Sequence, residues 1–195
     1  LDAADLPDRW DDLMEQYLVI SEKGFRARKN VFIGETIREA ADEATLEFPD
    51  AAECRLAIPG DLWPVSCDLS QIKLAIIKVI RNAFEAVGKE GKISIQAENL
   101  KLRANAMPPL KEGAYIGVSI LDNGAGIPNQ DLAKIFDPYF STKDQFNRKG
   151  LGMGLTIAQA IIKRHDGIIH VKSRQNTGTV FNIYLPANHD ESSNV

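Results

Sequence analysis

The sequence predicts an α/β fold: a two-layer α/β sandwich in which a mixed, mostly antiparallel sheet carries three main helices on one face. Stretches with apolar residues three and four apart alternate with shorter β-rich stretches, so helices and strands interleave along the chain. The last four β-rich stretches fall into two successive pairs, as hairpins do. A length of 195 residues, 44% of them apolar and 26% charged, fits one core with an appendage.

In order, residues 8–22 place Trp10, Leu13, Met14, Tyr17, Leu18 and Ile20 at helical spacing. They form an amphipathic helix that either packs on the domain or ends a helix continuing upstream. Gly24 and the basic run to Asn30 read as a linker into a strand over 31–33. A helix over 35–48, stopped by Pro49, offers Ile37, Ala40, Ala41, Ala44 and Leu46 for burial. Residues 55–58 and 63–66 are short strands around Pro59-Gly60, with Trp63 as a packing anchor. Asp68-Leu-Ser70 starts a helix whose stripe is Ile72, Ala75, Ile76, Val79, Ile80, Ala83, Phe84 and Val87. Lys78, Asn82 and Glu85 share the flank of that stripe.

Residues 92–98 alternate as a strand with one wet face, 99–113 form a loop, and 115–121 form a strand that ends at Asp122. A helix runs from Met153 to Arg164, followed by a hairpin of 167–173 with 179–185. The polar tail from 187 to 195 is expected to be disordered. The domain division is therefore 1–29 as helix and linker, 30–186 as the folded domain and 187–195 as tail.

A formal charge of −4 and a pI near 5.4 leave no basic face, which disfavours nucleic acid as a partner. No run approaches the roughly 20 apolar residues of a membrane span, and the N-terminus lacks a signal-peptide pattern. The chain is expected to be soluble and cytoplasmic, and its start without methionine suggests a fragment whose parent carries membrane spans upstream or none. Cys54 and Cys67 lack metal-ligand spacing and read as reduced.

Residues 122–156 are where chemistry concentrates. They hold Asp122-Asn-Gly-Ala-Gly-Ile-Pro128, then Ile135-Phe-Asp-Pro-Tyr-Phe-Ser-Thr-Lys143, then Lys149-Gly-Leu-Gly-Met-Gly-Leu-Thr156. Asp122, at a strand end, faces a pocket. Gly150, Gly152 and Gly154 lead into a helix whose first N–H groups lack intrahelical partners, and the helix dipole favours an anion beside them. The run lacks G-x-G-x-x-G spacing and no P-loop motif is present, so neither a dinucleotide site nor a Walker-type site is expected. Asn82 reads either as a satisfied structural amide or as a hard oxygen ligand for Mg²⁺.

Over about 30–186 the chain resembles the catalytic ATP-binding domain of sensor histidine kinases, in the GHKL superfamily with the Bergerat fold. Leu74 to Ala86 is similar to that family's N box, Asp122 to Ile127 to its first glycine box, Ile135 to Lys143 to its F box and Gly150 to Leu155 to its second glycine box. The last run, Gly178 to Pro186, resembles its closing strand. The resemblance implies ATP and Mg²⁺ as cofactors, with Asn82 as metal ligand and Asp122 as acceptor for the adenine amino group. Gly124, Gly126 and Ile127 would line the base pocket with Phe136 and Thr179, and Glu85 would flank the nucleotide on the N-box helix. Gly150, Leu151, Gly152, Met153, Gly154 and Leu155 would hinge a lid over 141–150 and contact phosphates. Lys143, Arg148 and Lys149 would steady the γ-phosphate, with Asn82 and Lys143 the catalytic pair.

The implied reaction moves the ATP γ-phosphate to a histidine on a separate dimerisation and phosphoacceptor domain, whose second helix would end within 1–22. A downstream response regulator and a homodimeric full-length protein follow from the same resemblance. Two departures qualify it. Lys78 stands one turn before Asn82, where the family often has a second Asn and gyrase-type relatives a water-activating Glu; this argues against ATP hydrolysis and for transfer. The three histidines, His165, His170 and His189, all follow the second glycine box, so the phosphoacceptor is absent from this chain. The competing functions are a degenerate nucleotide-sensing or interaction module of the same fold, a GHKL ATPase and an anti-sigma-type serine kinase.

Overall fold

The computed structural model of the chain describes residues 27–48, 52–88, 90–141 and 152–189. The helix expected over 8–22 lies outside them. The elements are β1 (Lys29–Val31), α1 (Gly34–Leu46), β2 (Glu53–Ala57), β3 (Val65–Cys67), α2 (Leu69–Ala86), β4 (Lys92–Leu102), β5 (Gly113–Asp122), α3 (Gly154–Arg164), β6 (Ile168–Arg174) and β7 (Gly178–Pro186).

Five strands form one sheet in the order β2-β4-β5-β7-β6, with β2 parallel to β4 and every other pair antiparallel. α2 packs against both α1 and α3, and all three helices lie on one face. The two-layer arrangement follows from two periodicities that meet. Inward residues of the strands, among them Ile93, Ile95, Ile116, Ile120 and Phe181, and the stripe of α2 through Ile72, Ile76 and Ile80 are each at most 1% exposed. Ile161 and Ile162 of α3 complete the same core.

α2 starts where its sequence signal places it. The Asp68 carboxylate accepts hydrogen bonds from the N–H groups of Ser70 and Gln71 at 3.0 and 3.4 Å, which satisfies two donors of the first turn. The Asp68 N–H in turn donates to His165 Nε2 at 3.2 Å, and His165 Nδ1 contacts the Ile161 carbonyl at 2.8 Å. That geometry fixes the buried ring as the neutral Nδ1–H tautomer and ties the start of α2 to the end of α3. The ion pairs joining α1 and α2, Lys73 with Glu39 and Glu43 and Arg81 with Glu47, are solvent-facing and contribute little.

Several expectations shift. The first strand is at 29–31 instead of 31–33, because fully buried Ile33 turns the chain into α1, its carbonyl accepting from Ile37 N–H at 3.0 Å, while Phe32 points outward. The short strands flanking Pro59-Gly60 do not pair with each other: β2 joins the large sheet and β3 pairs with β1. β4 runs four residues past its expected end, to Leu102. Part of the reason is Asn99, whose amide accepts from Trp63 N–H at 2.8 Å and donates to the Asp61 carbonyl at 2.9 Å. The tail, expected to be disordered from 187, is docked as far as it is described. Ala187 bridges to Val65, Asn188 N–H donates to the Pro64 carbonyl at 2.8 Å, and the His189 ring stacks on Trp63 at 4.1 Å.

Candidate active site

Asp122 ends β5 and is 2% exposed. Its Oδ1 accepts two backbone N–H bonds, from Gly124 at 2.8 Å and from Thr179, its register partner on β7, at 3.2 Å. Its Oδ2 is buried and has no hydrogen-bond partner among the described residues. Burial pushes the carboxyl above its ordinary range, against the two backbone donors, which act the other way. A buried acceptor with nothing to accept costs about 1–3 kcal/mol and marks a place built for a donor.

The turn after Asp122 is wedged between helix and hairpin. A Cβ on Gly124 would strike the Ala86 carbonyl at the end of α2, and Ala125 N–H donates to that same oxygen at 3.1 Å. Gly126 has φ of 64°, and a Cβ there would collide with the Arg174 carbonyl of β6. Asn176 N–H reaches the Ala125 carbonyl at 2.6 Å. Ile127 N–H donates to Ser173 Oγ at 2.8 Å, and Ser173 Oγ also lies 3.0 Å from the Gly178 carbonyl and 2.9 Å from Thr179 Oγ1. Ser173 thus joins the turn after Asp122 to the hydroxyl of buried Thr179.

Sequence reasoning did not single out Ser173 or Gly178 as site residues. A Cβ on Gly178 would strike the Asp122 carbonyl, so this glycine permits the strand contact that seats the carboxylate. Its signal was the glycine opening the last β-rich run. Ser173 carried none, because only the pairing of β6 with β7 brings it to the site.

A second part of the site lies farther back along α2. Lys78, 9% exposed, half-buried Asn82 and exposed Glu85 recur on one side of the helix. The Cβ position of Gly154, the first residue of α3, is 3.9 Å from both Cβ and Cδ of Lys78. Asn82 therefore sits between the two glycine turns, about 6 Å along the helix from Lys78, under the start of α3, and from Ala86, under the turn after Asp122. Met153, the N-cap residue of α3, makes no side-chain hydrogen bond to the leading N–H groups of that helix.

Gly152 has φ of 70°, and a Cβ there would lie 2.8 Å from the Phe140 carbonyl, which seats the second glycine turn on the aromatic segment. Thr156 Oγ1 donates to the Phe136 carbonyl at 3.0 Å, and Phe136, Met153 and Leu155 pack against the core. Of the expected site residues, Asp122, Gly124, Gly126, Ile127 and Thr179 thus come together at one end of α2, and Asn82, Gly152, Met153, Gly154 and Leu155 further along it. Lys143, Arg148, Lys149, Gly150 and Leu151 lie outside the described residues. Among the described residues no three of His, Cys, Asp and Glu cluster to hold a metal. No helix there is long and apolar enough to cross a membrane.

Residues 67–189 match the family model described as histidine kinase-, DNA gyrase B-, and HSP90-like ATPase. The chain is 37% identical over 132 residues to sensor kinase CckA of Brucella abortus (strain 2308), covering 65% of this chain and 13% of that protein. It is 32% identical over 136 residues to sensor histidine kinase ZraS of Escherichia coli (strain K12), covering 70% of this chain and 26% of that one. Among solved structures, the catalytic domain of histidine kinase ThkA superposes with a TM-score of 0.64 at 32% identity, covering 83% of this chain and 97% of that domain. The chain thus spans about a quarter or less of these two sensor kinases and nearly the whole of a solved catalytic domain.

Proposed function

The chain belongs to the histidine kinase-, DNA gyrase B-, and HSP90-like ATPase family, and on that premise we propose that it is the ATP-binding catalytic domain of a two-component sensor histidine kinase. In that role it delivers the γ-phosphate of ATP to a histidine on a dimerisation domain of the same protein, which a response regulator then relieves of it. The full-length protein would act as a homodimer.

The observation that carries the reading is the orphaned Oδ2 of Asp122. Adenine offers an exocyclic amino group, a donor, and a carboxylate held by two backbone N–H groups has one oxygen left to receive it. Gly124 and Gly126 keep side chains out of the turn beside it, and Thr179, tethered through Ser173, brings a hydroxyl to the same wall. The start of α3 supports phosphate binding through its N–H groups and dipole.

For the metal, Asn82 is the ligand we assign, its amide oxygen being a hard donor between base and phosphate ends. With no acidic cluster among the described residues, the chain would supply few ligands and the phosphates and water the rest. Bound Mg²⁺ would neutralise phosphate charge during transfer. By resemblance Lys143, Arg148 and Lys149 are assigned to the γ-phosphate, Gly150 and Leu151 to the hinge of the second glycine turn, and Glu85 to the outer edge of the site.

None of the chain's histidines suits the acceptor role. His165 is buried with both nitrogens engaged and His189 stacks on Trp63. His170, exposed on β6, belongs to the opposite face of the sheet from half-buried Val171 and the core. The test is calorimetric titration with ADP and a non-hydrolysable ATP analogue, with and without Mg²⁺. Micromolar to sub-millimolar, Mg²⁺-assisted binding is expected, and no binding at millimolar nucleotide would refute the reading.

A further inference from the structure

At one end of the sheet the core-facing side carries a polar row beside an apolar one. Asp122 of β5 pairs with Thr179 of β7, and Thr179 pairs with Ser173 of β6, so these side chains share one face across three strands. The next row on that face, Ile120, Phe181 and Val171, is hydrocarbon. Asp122 and Thr179 are 2% and 3% exposed, so water does not decide which way their hydrogen bonds run.

The directions follow from the protons available. Ser173 Oγ has one proton to give and two lone pairs. Ile127 N–H, 2.8 Å away, can only donate to it, and the Gly178 carbonyl, 3.0 Å away, can only accept from it. The serine proton is therefore committed to Gly178, and the 2.9 Å contact with Thr179 Oγ1 is made by the threonine proton. Thr179 Oγ1 is left with lone pairs alone to show a ligand, on the same row as Asp122 Oδ2, another acceptor.

Resting on the nucleotide reading above, we propose that Ser173 is a positioning residue for base selectivity: by holding the Thr179 proton it leaves a wall of acceptors that takes adenine and rejects an oxopurine. The amino group of adenine donates to the carboxylate, and the ring nitrogen beside it, itself an acceptor, meets Thr179 Oγ1 through a water that donates to both. The oxo group of an oxopurine faces Asp122 Oδ2 with no proton between them. Thr179 has none to turn toward it, because Ser173 holds it. Ser173 acts through Thr179 and is assigned no contact with the base.

The test titrates the chain calorimetrically with ADP and inosine diphosphate, which differ only at the amino or oxo edge of the base. The wild type should prefer ADP. Ser173→Ala releases the Thr179 proton, which can then turn toward an oxo group, so the preference should narrow by about three- to tenfold, the size of one neutral hydrogen bond. Ser173→Thr keeps the hydroxyl and suits a strand, and should keep the wild-type preference. In a Thr179→Val background the alanine substitution should leave the preference unchanged, since no proton remains to release. If Ser173→Ala does not fold, Ser173→Cys puts a weaker acceptor in the same place and should narrow the preference in the same direction. Equal losses for the two nucleotides, or a narrowing that persists beside Thr179→Val, would overturn the proposal while leaving the nucleotide site standing. A wild type that bound both nucleotides alike would overturn it too, and would remove Asp122 from the amino group. A wild type that bound neither would overturn the proposal and the nucleotide reading together.

Discussion

Replacing Asp122 by Asn separates the affinity of the site from the stability of the fold. The side chains are isosteric, and the amide oxygen can take over the Gly124 and Thr179 N–H bonds now made by Oδ1 at 2.8 and 3.2 Å. The amide nitrogen then occupies the place of Oδ2, presenting a donor where the adenine amino group also presents one. Losing a charge-assisted hydrogen bond removes about 1.5–3 kcal/mol, and a buried donor left facing a donor adds about 1–3 kcal/mol. At about 1.4 kcal/mol per decade, ATP affinity should fall by about sixtyfold to twenty-thousandfold, and any preference for ATP over GTP should largely vanish.

Without ligand the sign reverses. Burial raises the Asp122 carboxyl above its unfolded value, so over the interval from the ordinary value, about 3.9, up to the folded one the unfolded chain releases a proton that the folded chain keeps. Stability from this group is therefore present below that interval and lost as pH rises through it, and Asp122→Asn removes the loss. The unliganded variant should unfold at or above the wild-type midpoint at neutral pH. ATP affinity within about threefold of wild type would refute the adenine role, a factor worth only about 0.7 kcal/mol. A midpoint lowered by more than about 5 °C would show that Oδ2 is not orphaned.

Asn82→Ala should lose about tenfold in ATP affinity with Mg²⁺ and little in chelator, the size of one neutral ligand or hydrogen bond; titrations in both conditions check this, and equal losses would remove Asn82 from the metal. Gly126→Ala forces a Cβ into the Arg174 carbonyl at φ of 64°, and should lower stability by about 2 kcal/mol or more, seen as a thermal midpoint about 4 °C or more lower. Burial, with Arg28 nearby, holds the His165 imidazole below its ordinary value, against the Ile161 carbonyl and the charges of Asp68 and Asp166. Below about 6.5 the unfolded chain takes up the proton first, so stability falls as pH drops toward the folded value. Urea unfolding between pH 7 and 5 should show that slope, and His165→Gln should flatten it.

The fold was legible wherever one periodicity governed a long stretch. The stripe of α2, the Asp68 cap and the alternation of β5 and β7 each left a strong local mark, and the helix and strand positions follow from them. What escaped depended on partners distant in sequence. β1 is three residues long and is positioned by pairing with β3, so propensity at Phe32 and Ile33 misled by two positions. The docking of Asn188 on Pro64 and of His189 on Trp63 joins residues more than a hundred apart, with no pattern at either end. At the site, glycines and Asp122 announced themselves because backbone and charge requirements restrict residue type. Ser173 did not, since a serine on an edge strand is ordinary until β7 brings Thr179 against it.

The same features that make the site recognisable make the empty domain less stable than it need be. Asp122 Oδ2 is buried without a donor among the described residues, and the Met153 side chain does not cap the start of α3. In a loosely packed protein such groups would turn toward water or collapse onto one another. Here the glycines prevent it: Gly124 against Ala86, Gly126 against Arg174, Gly178 against Asp122 and Gly152 against Phe140 are backbone contacts too close for a side chain. They hold the polar groups in a fixed frame. A nucleotide that satisfies these groups does not first have to reorganise them, so more of each contact appears as affinity. Such a ligand also stabilises the fold, by about 2.7 kcal/mol at a concentration a hundredfold above Kd.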